Sequence, residues 1–177
     1  MIETERLVLR RWRPADHAPF AAINADPRVG DWLGGVRTAA QTDDQIARIE
    51  AHCARHGYGF WAAERKADRR LVGMIGLKFH EETPPGPCVE AGWRLAHDCW
   101  GRGLATEGAA AALAWGFDHL EVPEIVAFTA RANLASQAVM RRIGMVHVPA
   151  RDFDHPALPA DHPLRSHVMF AARRPGQ

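Results

Sequence analysis

Two glycines bracketing one arginine, in Cys99-Trp100-Gly101-Arg102-Gly103-Leu104-Ala105-Thr106-Glu107, constrain this chain more than any other stretch. Upstream, Val89, Ala91, Trp93 and Leu95 alternate as in a strand; downstream, an alanine-rich run from Thr106 to Leu120 reads as a helix. The segment must therefore turn a strand directly into a helix. Glycines lack a Cβ and let the backbone approach a ligand closely. The first-turn amides of the helix have no partner inside it, and its dipole end is positive. Together these features make a seat for a diphosphate, to which Arg102 adds a fixed charge. The same residues also suit an ordinary strand-to-helix connection, so this segment alone leaves both readings open.

With 177 residues, 47% of them apolar and 24% charged, the chain is expected to fold as one domain over residues 1–177 with a full-sized core. The net charge of +1 supplies no global field toward nucleic acid or membrane. Three cysteines, Cys53, Cys88 and Cys99, are odd in number and lack C-x-x-C spacing, which fits a reducing compartment rather than a disulfide frame or a cysteine metal site. The first thirteen residues are charged and lack the apolar run of a signal peptide, and no stretch is long enough to span a bilayer. A cytoplasmic protein is expected, with neither membrane nor nucleic acid as a partner.

In chain order, Arg6 to Trp12 reads as a strand and Pro14 to Ala25 as a helix with Phe20 and Ile23 on its apolar stripe. Residues 26–36 form a Gly- and Pro-containing loop carrying Trp32-Leu33. That pair suits a substrate lip, a cover for the core, or a contact surface in a homodimer. A helix over Ala39–His56 puts Ile46, Ile49 and Cys53 on one face and ends at Gly57. Thr42 with Gln45 offers a capping box, and Thr38 with Gln41 the same pattern earlier. His52 and His56 have metal-ligand spacing but lack a third ligand nearby, so they read as surface histidines. Strands follow over 58–65 and 71–79, joined by the polar turn 66–70. The loop 81–87 leads to a strand over 88–95. After the long helix come a strand over 125–129, a helix capped by Asn133 and stopped at Gly144, and strands over 145–148 and 166–172. A Pro-, His- and Asp-rich excursion, 152–163, separates these last two. The order predicts an α/β (α+β) fold.

This order, with these residues, resembles the GNAT superfamily of acyl-CoA-dependent N-acyltransferases, in particular its RimJ/RimL-type branch of ribosomal-protein N-acetyltransferases. The resemblance runs through TERLVLRRWRPAD and GFWAAERKADRRLVGMIGL and is strongest in GWRLAHDCWGRGLATEG and NLASQAVMRRIGM. The superfamily opens its phosphate loop with Gln or Arg; the branch uses Trp, as at Trp100. The resemblance implies a mixed, mostly antiparallel sheet of about seven strands, flanked by about four helices and split by a V-shaped cleft between the fourth and fifth strands. It implies acetyl-CoA as co-substrate, a primary amine as acceptor and no metal. The diphosphate would meet the amides of Gly101, Arg102, Gly103, Leu104, Ala105 and Thr106 beside Trp100. The pantetheine would run along Trp93 to Leu95 as an added strand does, and Asn133 and Ser136 would complete the site. A dinucleotide-binding motif fits less well, because GRGLAT lacks the third glycine and follows an antiparallel region.

Amine attack on a thioester needs a neutral amine. At pH 7 deprotonation costs roughly 1 kcal/mol for an α-amine and about 4.6 for a lysine. The oxyanion needs a donor, which a backbone N–H near Leu95 can supply. The thiolate, of pKa about 8.5, needs only a weak acid. Many superfamily members place a Tyr one turn into the helix after the Asn; here that position is Met140, and the sole tyrosine is Tyr58. Ser136 is the replacement the branch implies. Glu90, on one side of its strand with Gly92 and Arg94, is a candidate base or an ion-pair partner for an arginine. Asp152, Asp154 and His155 are alternative bases. His155, His162 and His167 lack regular ligand spacing, and Glu107 reads as a partner for the helix dipole. Ribosomal relatives carry a Glu where Val148 stands, after His147, which weakens transfer of their substrate. Two readings follow: an N-acetyltransferase acting on a peptide N-terminus or small amine, or using another acyl-CoA such as succinyl-CoA; and a non-catalytic acyl-CoA sensor.

Overall fold

A computed structural model describes residues 1–84, 86–174 and 176. Residue 85, within the expected loop 81–87, lies outside the described residues. The strands are β1 (Ile2–Glu3), β2 (Leu7–Arg10), β3 (Phe60–Arg65), β4 (Arg70–His80), β5 (Cys88–Leu95), β6 (Glu124–Ala130), β7 (Val146–His147), β8 (Phe153–Asp154) and β9 (Ser166–Arg173). They form one sheet in the order β1-β2-β3-β4-β5-β6-β9-β7, with β8 also on β9. Every pairing is antiparallel except β5 with β6, which meet as parallel strands at Glu90 and Val126 alone and then part. That single register pair opens the V-shaped cleft. The strands beyond the expected seven are two-residue pairings at the margins.

The helices are α1 (His17–Ala25), α2 (Pro27–Gly30), α3 (Ala39–His56), α4 (Leu104–His119) and α5 (Leu134–Arg142). α2 is a single turn inside the expected loop, capped by the Asp26 side chain on Arg28 N. On α3 the box is the earlier pair: Thr38 Oγ1 accepts from Gln41 N at 3.2 Å and Gln41 Oε1 accepts from Thr38 N at 2.9 Å. Thr42 is buried one turn on, its hydroxyl donating to Thr38 O. Gly57 ends α3 at φ +79°, a left-handed conformation suited to glycine.

α4 packs on one face of the sheet, and its glycines explain how closely. A Cβ at Gly108 would lie 2.4 Å from Ile75 Cδ1, and one at Gly116 2.6 Å from both Leu77 Cδ1 and Ile125 Cδ1. α1 and α3 cover the opposite face through Phe20, Ile23, Ile46, Ile49 and Cys53. Arg10 ties this layer to the sheet, donating to Asp16 at 2.7 and 2.8 Å and to Glu64 at 2.8 Å. His52 and His56 stack at 4.4 Å between ring centroids and pack on Tyr58, which also meets Trp115. Burial, aided by the neighbouring His56, pushes the His52 imidazole down to about 4. No described helix is long and apolar enough to cross a membrane.

Candidate active site

The strand β5 leaves the sheet at Leu95, and a short turn through Trp100 delivers the chain to α4. Gly101 (φ +70°) and Gly103 (φ +77°) both adopt the left-handed region, which other residues enter only at a cost. Among the described residues no backbone amide from Gly101 through Thr106 donates to a protein acceptor; the first to do so is Glu107 N, to Gly103 O at 2.9 Å. A Cβ on Gly101 would meet nothing within 4 Å. A run of unpaired donors at a positive helix end, facing open space, is an anion cradle.

Glu107 does more than face the dipole. Its Oε1 accepts from Thr4 Oγ1 at 2.5 Å and Arg6 N at 2.8 Å, and its Oε2 from Arg6 Nε at 2.6 Å. Arg6 Nη1 also donates to Arg102 O at 2.9 Å, so the β1–β2 turn holds the glycine loop in place. Burial pushes the Glu107 carboxyl up, but the bonds from Thr4 and Arg6 prevail and hold it below its ordinary value. Arg102 is exposed, and its side chain does not line the cleft.

From this cradle a cleft of about 950 Å³ runs between β5 and β6. Ala96 N donates to Val72 O at 2.9 Å, so backbone groups of Ala96, Arg94 and Gly92 face β4. By the antiparallel alternation those of Leu95 and Trp93 face the gap. Trp100, 38% exposed, closes one of them by donating its indole N–H to Leu95 O at 2.8 Å. The N–H of Leu95 and both backbone groups of Trp93 remain along the cleft, an unpaired strand edge to which an extended amide-bearing chain can add.

The first turn of α5 forms the far wall. Asn133 is buried, and its Oδ1 caps the helix by accepting from Ser136 N at 3.1 Å. Its Nδ2 donates to no described protein group. Ser136 also lines the cleft, and its hydroxyl makes no hydrogen bond within the described protein. Met140, buried at 2%, occupies the position a turn further on; Tyr58 lies in the His52–Trp115 cluster and does not line the cleft.

On the α1–α3 side the cleft is lined by Trp32, Leu33, Gln45, Phe60, Met74, Gly92 and Arg94. Trp32 and Leu33 are half-buried, the placement of a lip. Glu90 accepts from or shares a proton with His80 Nε2 at 2.6 Å through Oε2, while its Oε1 lies 3.8 Å from where a Cβ on Gly92 would sit. His155 and His167 line the same wall, 5.1 Å apart between ring centroids. Burial holds the His167 imidazole below its ordinary value, favouring its neutral form. Asp152 is committed elsewhere, to Met169 N at 3.0 Å, His147 at 2.9 Å and Arg131 at 2.9 Å. Asp154 pairs with Arg165 at 3.1 Å, and His162 accepts from Leu164 N. Among the described residues no group of three or more His, Cys, Asp or Glu is placed to hold a metal ion.

The cradle, Trp93, Leu95, Asn133, Ser136 and Glu90, all expected from the sequence, come together in one cleft. Gln45, Phe60, His80 and Phe128 are not among the expected residues. For Phe60 and His80 the signal is the register of the β3–β4–β5 meander, which opposes Phe60 to Gly76 and Lys78 to Glu90. A CoA thioester fits the arrangement at three points: the unpaired amides suit its diphosphate, the open edge of β5 its pantetheine amides, and the free Ser136 hydroxyl its sulfur.

Comparison with known proteins identifies the family. A profile of the acetyltransferase (GNAT) domain matches residues 6–146. The FsC-acetyl coenzyme A-N(2)-transacetylase of Aspergillus fumigatus is 39% identical over 144 residues, covering 75% of this chain and 60% of that protein. The crystal structure of an acetyltransferase from Agrobacterium tumefaciens superposes with a TM-score of 0.78 at 28% identity, over 97% of this chain and 93% of the other. Spermidine N-acetyltransferase from Vibrio cholerae, solved in complex with CoA and spermine, shares the fold (TM-score 0.73, 14% identity, 97% of each chain). By its sheet, its parted strands and this profile match, the chain belongs to the GNAT acetyltransferase family.

Proposed function

We propose that residues 1–177 form one catalytic domain that transfers an acetyl group from acetyl-CoA to a primary amine, the amine attacking directly in a ternary complex. The observation that carries this is the run of unpaired amides, Gly101 through Thr106, at the mouth of the cleft where β5 and β6 part. Bound acetyl-CoA would supply a thioester carbonyl open to attack and a sulfur able to leave. The cradle amides, beside Trp100 and Arg102, bind the diphosphate. The edge of Trp93 and Leu95 binds the pantetheine and leaves one N–H to polarise the carbonyl. Asn133 Nδ2 adds a donor from α5. Glu90 is the base: His80 orients it through Oε2, leaving Oε1 on the cleft side to take the ammonium proton through water. Ser136, its hydroxyl uncommitted, protonates the departing thiolate. Trp100 supports placement in the RimJ/RimL-type branch, whereas Val148, where ribosomal relatives carry Glu, favours an acceptor other than a ribosomal N-terminus. Three free thiols, Cys53, Cys88 and Cys99, support a reducing, cytoplasmic setting.

The test is calorimetry with acetyl-CoA followed by thiol release across a panel of amines. Saturable heat and amine-dependent release are expected. No heat with any CoA thioester overturns the proposal. Heat without release for any amine identifies a sensor, and faster release from succinyl-CoA reassigns the donor.

A further inference from the structure

Among the described residues about half of the arginines form ion pairs, and of those that do not, only Arg94 and Arg37 have a buried guanidinium nitrogen without a hydrogen-bond partner. Arg6, Arg10, Arg11, Arg28, Arg65, Arg70, Arg131, Arg151 and Arg165 each meet a carboxylate within 3.1 Å. Arg94 and Arg37 differ. Arg94 projects from β5 on the same side as Glu90 and Gly92 and lines the cleft. Its Nη1 donates to Asn24 Oδ1 at 2.8 Å and Gln45 Oε1 at 3.0 Å, two neutral groups that aim the guanidinium without neutralising it. Phe20 lies beneath, 6.0 Å from ring centroid to Cζ. The Nε of Arg94 and that of Arg37 are both buried without a partner. Among the described residues neither guanidinium forms an ion pair. Burial pushes the Arg94 guanidinium down to about 10, and the like charge of Arg37 adds to the effect.

A buried charge without a counter-ion is expensive, and two of like sign together more so. Arg94 lines the cleft, and Arg37 stands behind it, its backbone N–H donating at 3.0 Å to the backbone carbonyl of the same Asn24 that Arg94 bonds, so the cleft wall carries positive charge that lacks an anion. We propose that this anion is a carboxylate of the acceptor, so that the acetylated molecule is an amino acid or a similar small amino-carboxylate, held by Arg94 with Arg37 behind it. This rests on the cleft being the acetyl-transfer site argued above. The planar fork of arginine matches a carboxylate with two parallel hydrogen bonds. Along β5, Arg94 stands four residues from Glu90, roughly 13 Å at about 3.3 Å per residue and on the same side of the strand, so one small molecule can present its anion to Arg94 while its amine reaches Glu90 through water. Trp32, Leu33, Phe60 and Met74 leave an apolar wall for the remainder of such a molecule. A polyamine such as spermine would bring cations to the same guanidinium.

The test pairs α-, β- and γ-amino acids with the amines lacking only the carboxylate, for example leucine against 3-methylbutylamine, with spermine as a third probe. Two quantities are read: kcat/KM by thiol release, and direct binding by ligand-observed NMR, which needs no turnover. At least one carboxylate member should exceed its partner by about 10- to 100-fold, the range of a charge-assisted hydrogen bond lost from a buried arginine. Arg94→Gln, which keeps an amide beside Asn24, should collapse that ratio, while calorimetry with acetyl-CoA checks the donor side. Arg37→Gln, on the loop before α3, should reduce it several-fold and serves if the strand variant does not fold. Equal or better use of the decarboxylated amines or spermine overturns the inference. So does a ratio unchanged in both variants, or an Arg94→Gln effect confined to acetyl-CoA affinity. Without acyl transfer, Arg94-dependent binding of carboxylate members sustains the inference and removes the proposed activity; no binding of any member removes the inference.

Discussion

Asn133 holds two positions at once, and a pair of substitutions separates them. Its Oδ1 caps α5 through Ser136 N at 3.1 Å, while Nδ2 points to no protein acceptor and is available to the pantetheine. Asn133→Ala deletes both. Loss of a cap costs about 1 kcal/mol, which for a chain of this size lowers Tm by about 2–4 °C. Asn133→Asp keeps an oxygen for Ser136 N and adds a negative charge at a helix N-terminus, favourable by about 0.3–1 kcal/mol, so its Tm should match or exceed wild type. Yet Asp offers no N–H to a ligand carbonyl and turns a lone pair toward it instead. The lost hydrogen bond, about 1 kcal/mol, plus the repulsion should weaken acetyl-CoA by about 10-fold or more. Differential scanning calorimetry and titration calorimetry on the three proteins read the two effects independently. An Asp variant that binds acetyl-CoA like wild type would show that the side chain only caps the helix, and an Ala variant with unchanged Tm would refute the cap.

Other perturbations follow the same geometry. In Gly103→Asp the new Cβ would lie 3.4 Å from Arg6 Nη2, so the carboxylate competes with Glu107 for Arg6 and places an anion beside the cradle; acetyl-CoA affinity should fall at least 10-fold by titration calorimetry. Ser136→Ala should leave the unfolding free energy within about 0.5 kcal/mol of wild type and lower kcat about 10- to 100-fold with little change in acetyl-CoA affinity; equal losses in both would make Ser136 a binding residue. Glu107→Gln should cost about 1–2 kcal/mol at neutral pH by chemical denaturation. The Glu107 carboxyl is held below its unfolded value near 4.5, so its contribution is present above that pH and disappears as pH falls through the lower folded value. The wild type and the Gln variant should therefore converge in stability at low pH, and a constant gap would exclude the ion pair as the cause.

The half of the site proposed to bind the donor is legible because it is continuous in the chain. Gly101 to Thr106 announces unpaired amides by composition alone, and β5 was bounded at 88–95 because alternation is clear over eight residues. α3 was bounded at 39–56 for the same reason, its apolar spacing ending at a left-handed glycine. β1 and β8 are two residues each, too short to carry a period, and exist only because a longer strand pairs with them, whereas β7 falls inside the expected strand over 145–148 but pairs only at Val146–His147. The capping box was ambiguous because Thr38 and Thr42 match one pattern. Burial decided it, since Thr42 lies one turn before Ile46 on the face that packs inward. The acceptor wall collects Trp32, Gln45, Phe60, Met74 and Arg94 from five separate elements, and only the sheet register shows that they meet.

One strand organises both halves. The side chains of Val89, Ala91 and Leu95 turn toward α4 and fill the core at 2–5% exposure. Those of Glu90 and Arg94 turn the other way, Arg94 reaching Asn24 on α1 and Gln45 on α3. The backbone groups of Trp93 and Leu95 have a third direction, the edge that β6 abandons after Val126. A strand's period of two thus separates core, acceptor wall and donor edge within eight residues. A one-residue register slip between β4 and β5 would exchange all three assignments at once. Gly73 resists such a slip: at φ +145° its missing Cβ would lie 2.0 Å from Arg94 O, so only glycine fits opposite the strand that carries the arginine. The register that buries the core is therefore the same one that points an unpaired guanidinium into the cleft.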